Sequence, residues 1–314
     1  MPLPRHSKPG PHLIAALVTP FTSDHRVDRA SLTALVHHLQ QGGVQEFFAV
    51  GSTGEAPLLD EDERLTIIET VRAAAPDGVV YAGISGAGPR AAIRLARAAS
   101  RAGADVGVLM CPNFVALDQS QLGAFCEMVA DGSELPLALY HHLRMPTPFA
   151  IPTVARLAAH PNIIALKDTS GGDNNRCAEV LAATAGQSFE FYQGVEKLVL
   201  PTLAAGGHGC VVAQGCIAPQ TFRHLFDAWQ RGDRLGAEAE QNDITALWGI
   251  FTRPEVRQSF CHFLYTLKQP LQQRGVLATT ACATPGVQLA PEFKQMVADF
   301  MHAHLPAPAV PAAT

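Results

Sequence analysis

The sequence lacks the short cysteine and histidine motifs that mark many zinc sites. It contains no C-x-x-C pair and no H-E-x-x-H segment, and its adjacent histidines are the two pairs His37-His38 and His141-His142. Adjacent side chains diverge on a helix or a strand, so neither pair is suited to hold one ion. The seven cysteines are dispersed and odd in number, which predicts reduced thiols rather than a disulfide framework. We therefore expect no metal site.

The sequence also lacks a block of basic residues, a membrane-spanning apolar run and an apolar stretch near its start. Lys and Arg number 23 against 28 Asp and Glu, and the resulting net charge of −5 argues against nucleic acid as a partner. The missing apolar runs argue against a membrane span and against a signal peptide. We expect a cytoplasmic protein that binds neither nucleic acid nor membranes.

Short apolar runs separated by helical patterns fill most of the chain. The runs lie at 13–18, 46–50, 79–83, 106–110, 135–140, 163–167, 189–192 and 209–213. Such near-continuous apolar runs are typical of parallel strands buried on both faces. The helical patterns lie at 28–41, 60–75, 89–102, 152–159, 196–206 and 219–232. This alternation predicts an α/β fold, a TIM (β/α)8 barrel over residues 12–232.

An open, doubly wound sheet is the alternative architecture. The count of eight strands and the lack of a G-x-G-x-x-G turn after the first strand favour the barrel. Residues 233–304 carry no strand pattern, and we expect a helical extension of two or three helices packed on the barrel. Residues 1–11 are expected to form an N-terminal tail, and the alanine- and proline-rich residues 305–314 a mobile tail.

Side chains at the carboxyl ends of the predicted strands are the candidates for chemistry, because such a barrel carries its active site there. Lys167, one of five lysines, follows four apolar residues in the sixth strand. Desolvation disfavours the charged form of an amine, so we expect this lysine to be a nucleophile. The alternative interpretation is a structural lysine that pairs with Asp168 or extends to the surface.

Hydroxyl groups end three other strands. The first strand runs into Thr19, the second into the turn 51–55 with Ser52 and Thr53, and the fifth ends at Tyr140. Backbone N–H groups and hydroxyls in such a turn suit a carboxylate or a phosphate, and a phenol can exchange a proton with a neighbouring hydroxyl. The alternatives are a simple helix cap for the turn and a core aromatic for Tyr140.

In combination, these segments resemble the dihydrodipicolinate synthase / N-acetylneuraminate lyase family of class I (Schiff-base) aldolases. The similarity extends over about residues 13–232 and more weakly over the helical extension. Each segment alone is a weak signal, but all of them occur in the family's order and at strand ends. The matching segments are Leu17-Val18-Thr19-Pro20-Phe21, Gly51-Ser52-Thr53-Gly54-Glu55, Gly103-Ala104-Asp105, Leu139-Tyr140 and residues 161–171.

The resemblance implies a catalytic role for three residues and a binding role for others. Lys167 matches the lysine that forms the Schiff base with a 2-oxo acid such as pyruvate, and Tyr140 matches the tyrosine that relays protons. Ser52 and Thr53 match the pair that holds the substrate carboxylate, with Thr53 also in the hydroxyl relay.

Two further positions and the assembly follow from the same resemblance. Gly194 matches a glycine that faces the distal part of the substrate, and Val211 matches an apolar residue whose carbonyl lies near the imine. The family implies a homotetramer, built as a dimer of dimers. It also implies that no cofactor is required, because the substrate is bound covalently to Lys167.

Two departures from the family bear on the substrate. Phe114 stands where the synthases carry a tyrosine that reaches a neighbouring subunit's proton relay, and phenylalanine has no hydroxyl. The stretch 141–146 is one residue out of register, so Arg144 is only a possible match for the arginine that holds the second substrate's carboxylate. We expect a lyase, aldolase or dehydratase acting on a 2-oxo acid. The alternatives are 4-hydroxy-tetrahydrodipicolinate synthase, which condenses pyruvate with aspartate semialdehyde, and a non-catalytic barrel that binds a small acid.

Overall fold

The computed structural model describes residues 10–112, 115–171, 174–284 and 289–305. Its strands are β1 (His12–Ala16), β2 (Glu46–Ala49), β3 (Val79–Gly83), β4 (Val106–Met110), β5 (Leu137–His142), β6 (Ile163–Thr169), β7 (Glu190–Gln193) and β8 (Gly209–Val212). They form one closed, parallel barrel in sequence order, in which β8 pairs with β1. This architecture confirms the predicted (β/α)8 barrel.

The alternation of side chains along each strand separates an inner from an outer face of the barrel. On β5, Tyr140 belongs to the cluster inside the barrel, whereas Leu139 packs in the layer between barrel and helices. On β6, Ala165 lies inside and Leu166 outside. Lys167, two residues after Ala165, therefore shares the inner face.

Eight helices connect the strands or follow them. They are α1 (Arg29–Gln41), α2 (Glu61–Ala74), α3 (Pro89–Arg101), α4 (Gln119–Gly132), α5 (Ile151–Ala158), α6 (Asn175–Ala183), α7 (Val199–Ala204) and α8 (Pro219–Gln230). Asp28 caps α1 through the Ser31 N–H, and Asp60 caps α2 in a reciprocal box with Glu63.

Two of these helices, α4 and α6, are absent from the predicted set. α4 contains Gly123 and ends at Gly132, and glycine lowers helix propensity. α6 fully buries only Cys177 and Val180, so its apolar periodicity is weak. Both helices form because the barrel offers an apolar outer layer between consecutive strands, which the local sequence does not reveal.

The C-terminal extension contains α9 (Arg234–Trp248), α10 (Pro254–Arg257), α11 (Phe260–Gln273) and α12 (Pro291–His304). Two or three helices were expected here, and the additional α10 is a single turn, too short to leave a periodic pattern. Across the ranges given above, none of the helices combines the length and the apolar character needed to cross a bilayer.

A buried ion pair connects this extension to the turn that follows β2. Lys268 of α11 donates from Nζ to Glu55 Oε1 at 2.8 Å and to the Ala281 carbonyl at 2.6 Å. Glu55 Oε2 accepts the Ala283 N–H at 2.8 Å, and neither charged side chain is exposed to solvent. A charge pair persists at such a site only when its remaining donors and acceptors are satisfied. The extension therefore fixes the backbone beside the predicted carboxylate site.

We expect Lys268→Met to lower the free energy of unfolding by about 3–5 kcal/mol, because it leaves the Glu55 carboxylate buried without its partner. The double variant Lys268→Met/Glu55→Gln should recover much of that loss, since no unpaired charge remains. Urea unfolding of both single variants and the double variant measures the coupling.

Lys294→Met, at an exposed position of α12, is the matched control and should change the free energy of unfolding by less than about 0.5 kcal/mol. Additive effects of the two single variants at Lys268 and Glu55 would contradict this account.

Candidate active site

Lys167 lies inside the mouth of the barrel and faces aromatic rings. Its side chain is buried, with the residue 6% exposed. The Nζ atom lies 4.2 Å from the ring centroid of Tyr140 and 5.1 Å from that of Phe48. The parallel register pairs Tyr140 directly with Lys167, which brings the two side chains together on the inner face. The amine therefore lies on the inner face near the carboxyl end of β6, where the sequence predicts it.

Lys167 does not pair with Asp168, the alternative that the sequence left open. Asp168 points to the opposite face of β6, where Oδ2 accepts Arg176 Nε at 2.6 Å and Oδ1 accepts the Ser170 N–H at 2.8 Å. Arg176 also donates to the Phe149 carbonyl at 2.8 Å. Because Asp168 is bound in this outer network, the Lys167 amine remains available to a ligand inside the barrel.

Tyr140 and Ser52 form the hydroxyl pair of the site. The Tyr140 hydroxyl and Ser52 Oγ are 3.2 Å apart, within hydrogen-bond distance, and either can donate. The Tyr140 ring also meets Phe48 edge to face, with centroids 6.4 Å apart. In the part of the chain described, it is Ser52 and not Thr53 that hydrogen-bonds with Tyr140. Thr53 lies half-buried in the same turn, and its role in the relay stays a prediction.

The turn that carries Ser52 has an unusual backbone that other segments support. Val50 and Glu55 both have left-handed backbone angles, with φ of 57° and 62°. A side chain at Gly83 would collide with the Val50 carbonyl, so that glycine permits the close approach. Thr19 Oγ1 donates to the Gly54 carbonyl at 2.7 Å. Thr19, a possible site residue from the sequence, thus supports the turn through a hydrogen bond to its backbone.

Gly194 directly follows β7, and Val211 lies on the neighbouring strand β8, near its carboxyl end. The Gly194 N–H donates to the Asp168 carbonyl at 2.7 Å, and a side chain at Gly194 would collide with Thr169 Oγ1. Val211 belongs to the interior cluster. These positions agree with the predicted roles, which remain predictions because they concern contacts to a substrate.

The remaining candidates contribute less to the described site. Arg144 is exposed, and its backbone N–H donates to His142 Nδ1 at 3.0 Å. Phe114 lies outside the described residues. Within those residues, the structure contains no cluster of three or more His, Cys, Asp or Glu side chains that could hold a metal ion.

Glu196 is a buried acidic residue near Lys167 that the sequence reasoning missed. It follows β7 and is 3% exposed, and its Oε1 lies 3.4 Å from the backbone nitrogen of Gln214. Burial raises its pKa from 4.5 to about 7, while backbone N–H groups and the charge of Lys167 act in the opposite direction. Its place two residues after Gly194, at a strand end, is the sequence signal that points to it.

A cavity of about 460 Å³ opens on the Ser52 and Tyr140 side of the site. The residues that line the cavity come from the barrel interior and from the loops after β2, β3 and β4. The residues lining it include Phe48, Ser52, Tyr140, Ser85, Cys111 and Val115. Such a largely apolar cavity with a few polar groups is typical of a small-molecule site.

The fold and site define a parallel barrel that carries a buried lysine beside a tyrosine–serine pair at its carboxyl end. The sequence pattern of the dihydrodipicolinate synthetase family matches residues 11–304. The chain therefore belongs to this family, which confirms the resemblance inferred from the sequence.

Individual relatives agree with this assignment. A 4-hydroxy-tetrahydrodipicolinate synthase of Acidiphilium cryptum is 35% identical over 236 residues, which cover 74% of this chain and 80% of that protein. One of Kineococcus radiotolerans is 32% identical over 283 residues, which cover 89% of this chain and 88% of that protein. Among solved structures, YagE of E. coli K12, a prophage protein in complex with pyruvate, has a TM-score of 0.86 at 26% identity, covering 93% of this chain and 98% of its own.

We expect Glu196→Gln to make stability less dependent on pH. The raised pKa means that the folded protein holds this proton more tightly than the unfolded chain does. The resulting stabilisation is complete below about pH 4.5 and is lost as the pH rises through about 7. The difference in free energy of unfolding, variant minus wild type, should therefore grow by roughly 3 kcal/mol between pH 4.5 and 8.

Urea unfolding at intervals across this pH range measures the difference. Glu292→Gln, at an exposed position of α12, is the matched control. A Glu196→Gln difference that stayed constant with pH would refute the assigned pKa.

Proposed function

We propose that this chain is a class I aldolase or lyase that forms an imine between Lys167 and a 2-oxo acid, with pyruvate as product or donor. The observation that carries the proposal is the buried Lys167 amine, 4.2 Å from the ring of a tyrosine whose hydroxyl contacts Ser52. Buried lysines without a carboxylate partner are rare, and an amine in such a position is suited to add to a carbonyl carbon. Family membership and the pyruvate complex of YagE support the same reaction class.

The proposed cycle begins with the substrate carboxylate on the Ser52–Thr53 turn, which presents hydroxyls and backbone N–H groups. The neutral Lys167 amine adds to the keto carbon, and its two protons leave with the keto oxygen as water to give a C=N bond. Protonation of the imine nitrogen makes it an electron sink. Tyr140 then moves the proton that accompanies cleavage, condensation or dehydration at the neighbouring carbons. Lys167 itself supplies the electrophile, so the cycle needs no metal or organic cofactor.

The alternative function is 4-hydroxy-tetrahydrodipicolinate synthase, and the names of the relatives favour it. That reaction requires recognition of a second carboxylate on aspartate semialdehyde. Arg144, the arginine considered for this task, is exposed. We therefore place the synthase second. We also propose that the enzyme acts in the cytoplasm as a homotetramer, as the family resemblance implies.

Treatment of the protein with pyruvate and sodium borohydride should add a reduced pyruvate adduct to Lys167, located by peptide mass spectrometry. Lys167→Met should lose the adduct and lower kcat by roughly 10³-fold or more, because the covalent route is gone. Lys197→Met, at an exposed lysine, is the matched control and should retain both.

Absence of an adduct at Lys167 would refute the imine mechanism and would favour a barrel that only binds small acids. Rapid condensation of pyruvate with aspartate semialdehyde would favour the synthase instead.

Tyr140→Phe keeps the ring over the Lys167 amine but removes the hydroxyl that contacts Ser52. We expect kcat to fall by about 10²–10⁴-fold, the usual contribution of a proton-transfer group, while borohydride trapping by pyruvate persists. Steady-state assays of pyruvate release or consumption, together with trapping yields, measure both effects. Tyr265→Phe, on α11, is the control and should leave kcat within a factor of about two. An unchanged kcat in Tyr140→Phe would exclude Tyr140 from the proton relay.

A further inference from the structure

His142 places an imidazole at the barrel mouth, and the sequence motifs predicted neither its contacts nor a role for it. It is the last residue of β5, and alternation places it on the same face as Tyr140. The two rings meet edge to face, with centroids 5.8 Å apart. His142 is half-buried, so one side of the ring is open at the mouth.

A tight turn after β5 fixes which nitrogen of the ring carries the proton. The Arg144 N–H donates to His142 Nδ1 at 3.0 Å, so Nδ1 is an acceptor and cannot carry a hydrogen. The Met145 N–H also donates to the His142 carbonyl at 3.0 Å, which closes the turn. The neutral ring therefore carries its hydrogen on Nε2.

The surroundings also keep this ring uncharged. Burial, together with the positive charges of Lys167 and Arg144 and the neighbouring His141, lowers the pKa of His142 from 6.5 to about 4. At neutral pH the Nε2–H group is thus a neutral hydrogen-bond donor. Among the described residues, the ring of His142 forms its hydrogen bond through Nδ1, to the Arg144 N–H, and Nε2 is not used.

The adjacent His141 has a different environment. It lies on the outer face of β5, where Nδ1 is 3.0 Å from Arg176 Nη2 and its ring packs against Phe149. His141 thus supports the network around Asp168. Of the two histidines, only His142 faces the space above Lys167.

We propose that His142 determines substrate specificity by donating from Nε2–H to a neutral oxygen, a hydroxyl or a carbonyl, on the substrate chain beyond C3. This inference rests on the proposed function. In the proposed function, Lys167 bonds to the keto carbon C2 and the Ser52–Thr53 turn binds the carboxylate. The substrate oxygens that remain for His142 therefore lie further along the carbon chain of the substrate. A chain without such an oxygen leaves the donor desolvated and unpaired, which costs affinity.

The test compares two 2-oxo acids of equal length, 4,5-dihydroxy-2-oxopentanoate and 2-oxopentanoate. The protein is equilibrated with increasing concentrations of each acid and trapped with borohydride. Mass spectrometry measures the fraction of Lys167 that carries any reduced adduct, whether from the intact acid or from a product of its reaction. Imine formation precedes every reaction outcome considered above, so the readout does not depend on which one the enzyme catalyses. Pyruvate labelling serves as the reference for an intact site.

Two substitutions separate the donor from the rest of the ring. His142→Asn keeps an acceptor near the Nδ1 position for the Arg144 N–H but removes the donor at the Nε2 position. His142→Gln places an amide N–H near the Nε2 position. Leu143→Ala, at a residue 69% exposed on the same turn, is the control.

We expect the wild type to reach half-labelling at about 3- to 10-fold lower concentration with the dihydroxy acid than with 2-oxopentanoate, the range of one net hydrogen bond. His142→Asn should bring this ratio to about one, while His142→Gln and Leu143→Ala keep most of it. Pyruvate labelling should be unchanged in all variants.

Two results would overturn the role of His142 but not the proposed function, provided that pyruvate still labels Lys167. One is a concentration ratio between the two acids that His142→Asn leaves unchanged, and the other is a wild type that labels equally well with both acids. Loss of pyruvate labelling in both His142 variants would make His142 a structural residue and would also overturn it. Failure of the wild type to label with pyruvate would refute the proposed function, and this inference with it.

Discussion

The site depends on one geometric constraint, the two-residue alternation of side chains on strands in parallel register. Because β5 and β6 pair Tyr140 with Lys167, the phenol and the amine meet inside the barrel, and His142 continues the same row. The next residue on each strand, His141 on β5 and Asp168 on β6, faces outward and binds Arg176. A shift of either strand by one residue would turn the inward-facing side chains outward and bring His141 or Asp168 into the barrel instead.

The turn that carries Ser52 and Thr53 depends on a second support that comes from outside the barrel strands. Glu55 holds a left-handed backbone at the end of the turn, and its carboxylate is paired with Lys268 of α11. Thr19 binds the Gly54 carbonyl from the first strand's loop. The helical extension therefore contributes to the active site although none of its side chains needs to touch a substrate. This arrangement agrees with a family match that spans residues 11–304.

Charge in the barrel mouth is controlled chiefly by burial. Burial raises the pKa of Glu196 to about 7 and, with the neighbouring positive charges, lowers the pKa of His142 to about 4, so His142 is uncharged at neutral pH. A buried site of this kind favours recognition of a ligand through neutral hydrogen-bond donors.

The sequence by itself determined the eight strands, the closed barrel and the family, because strand periodicity and strand-end residues such as Lys167 and Tyr140 are local signals. It also located the turn with Ser52. Only the tertiary structure decided that Ser52 meets Tyr140, that Asp168 turns away from Lys167, and that Lys268 pairs with Glu55 across 213 positions. Such contacts arise when the barrel closes and its layers pack, so no local pattern of residues encodes them.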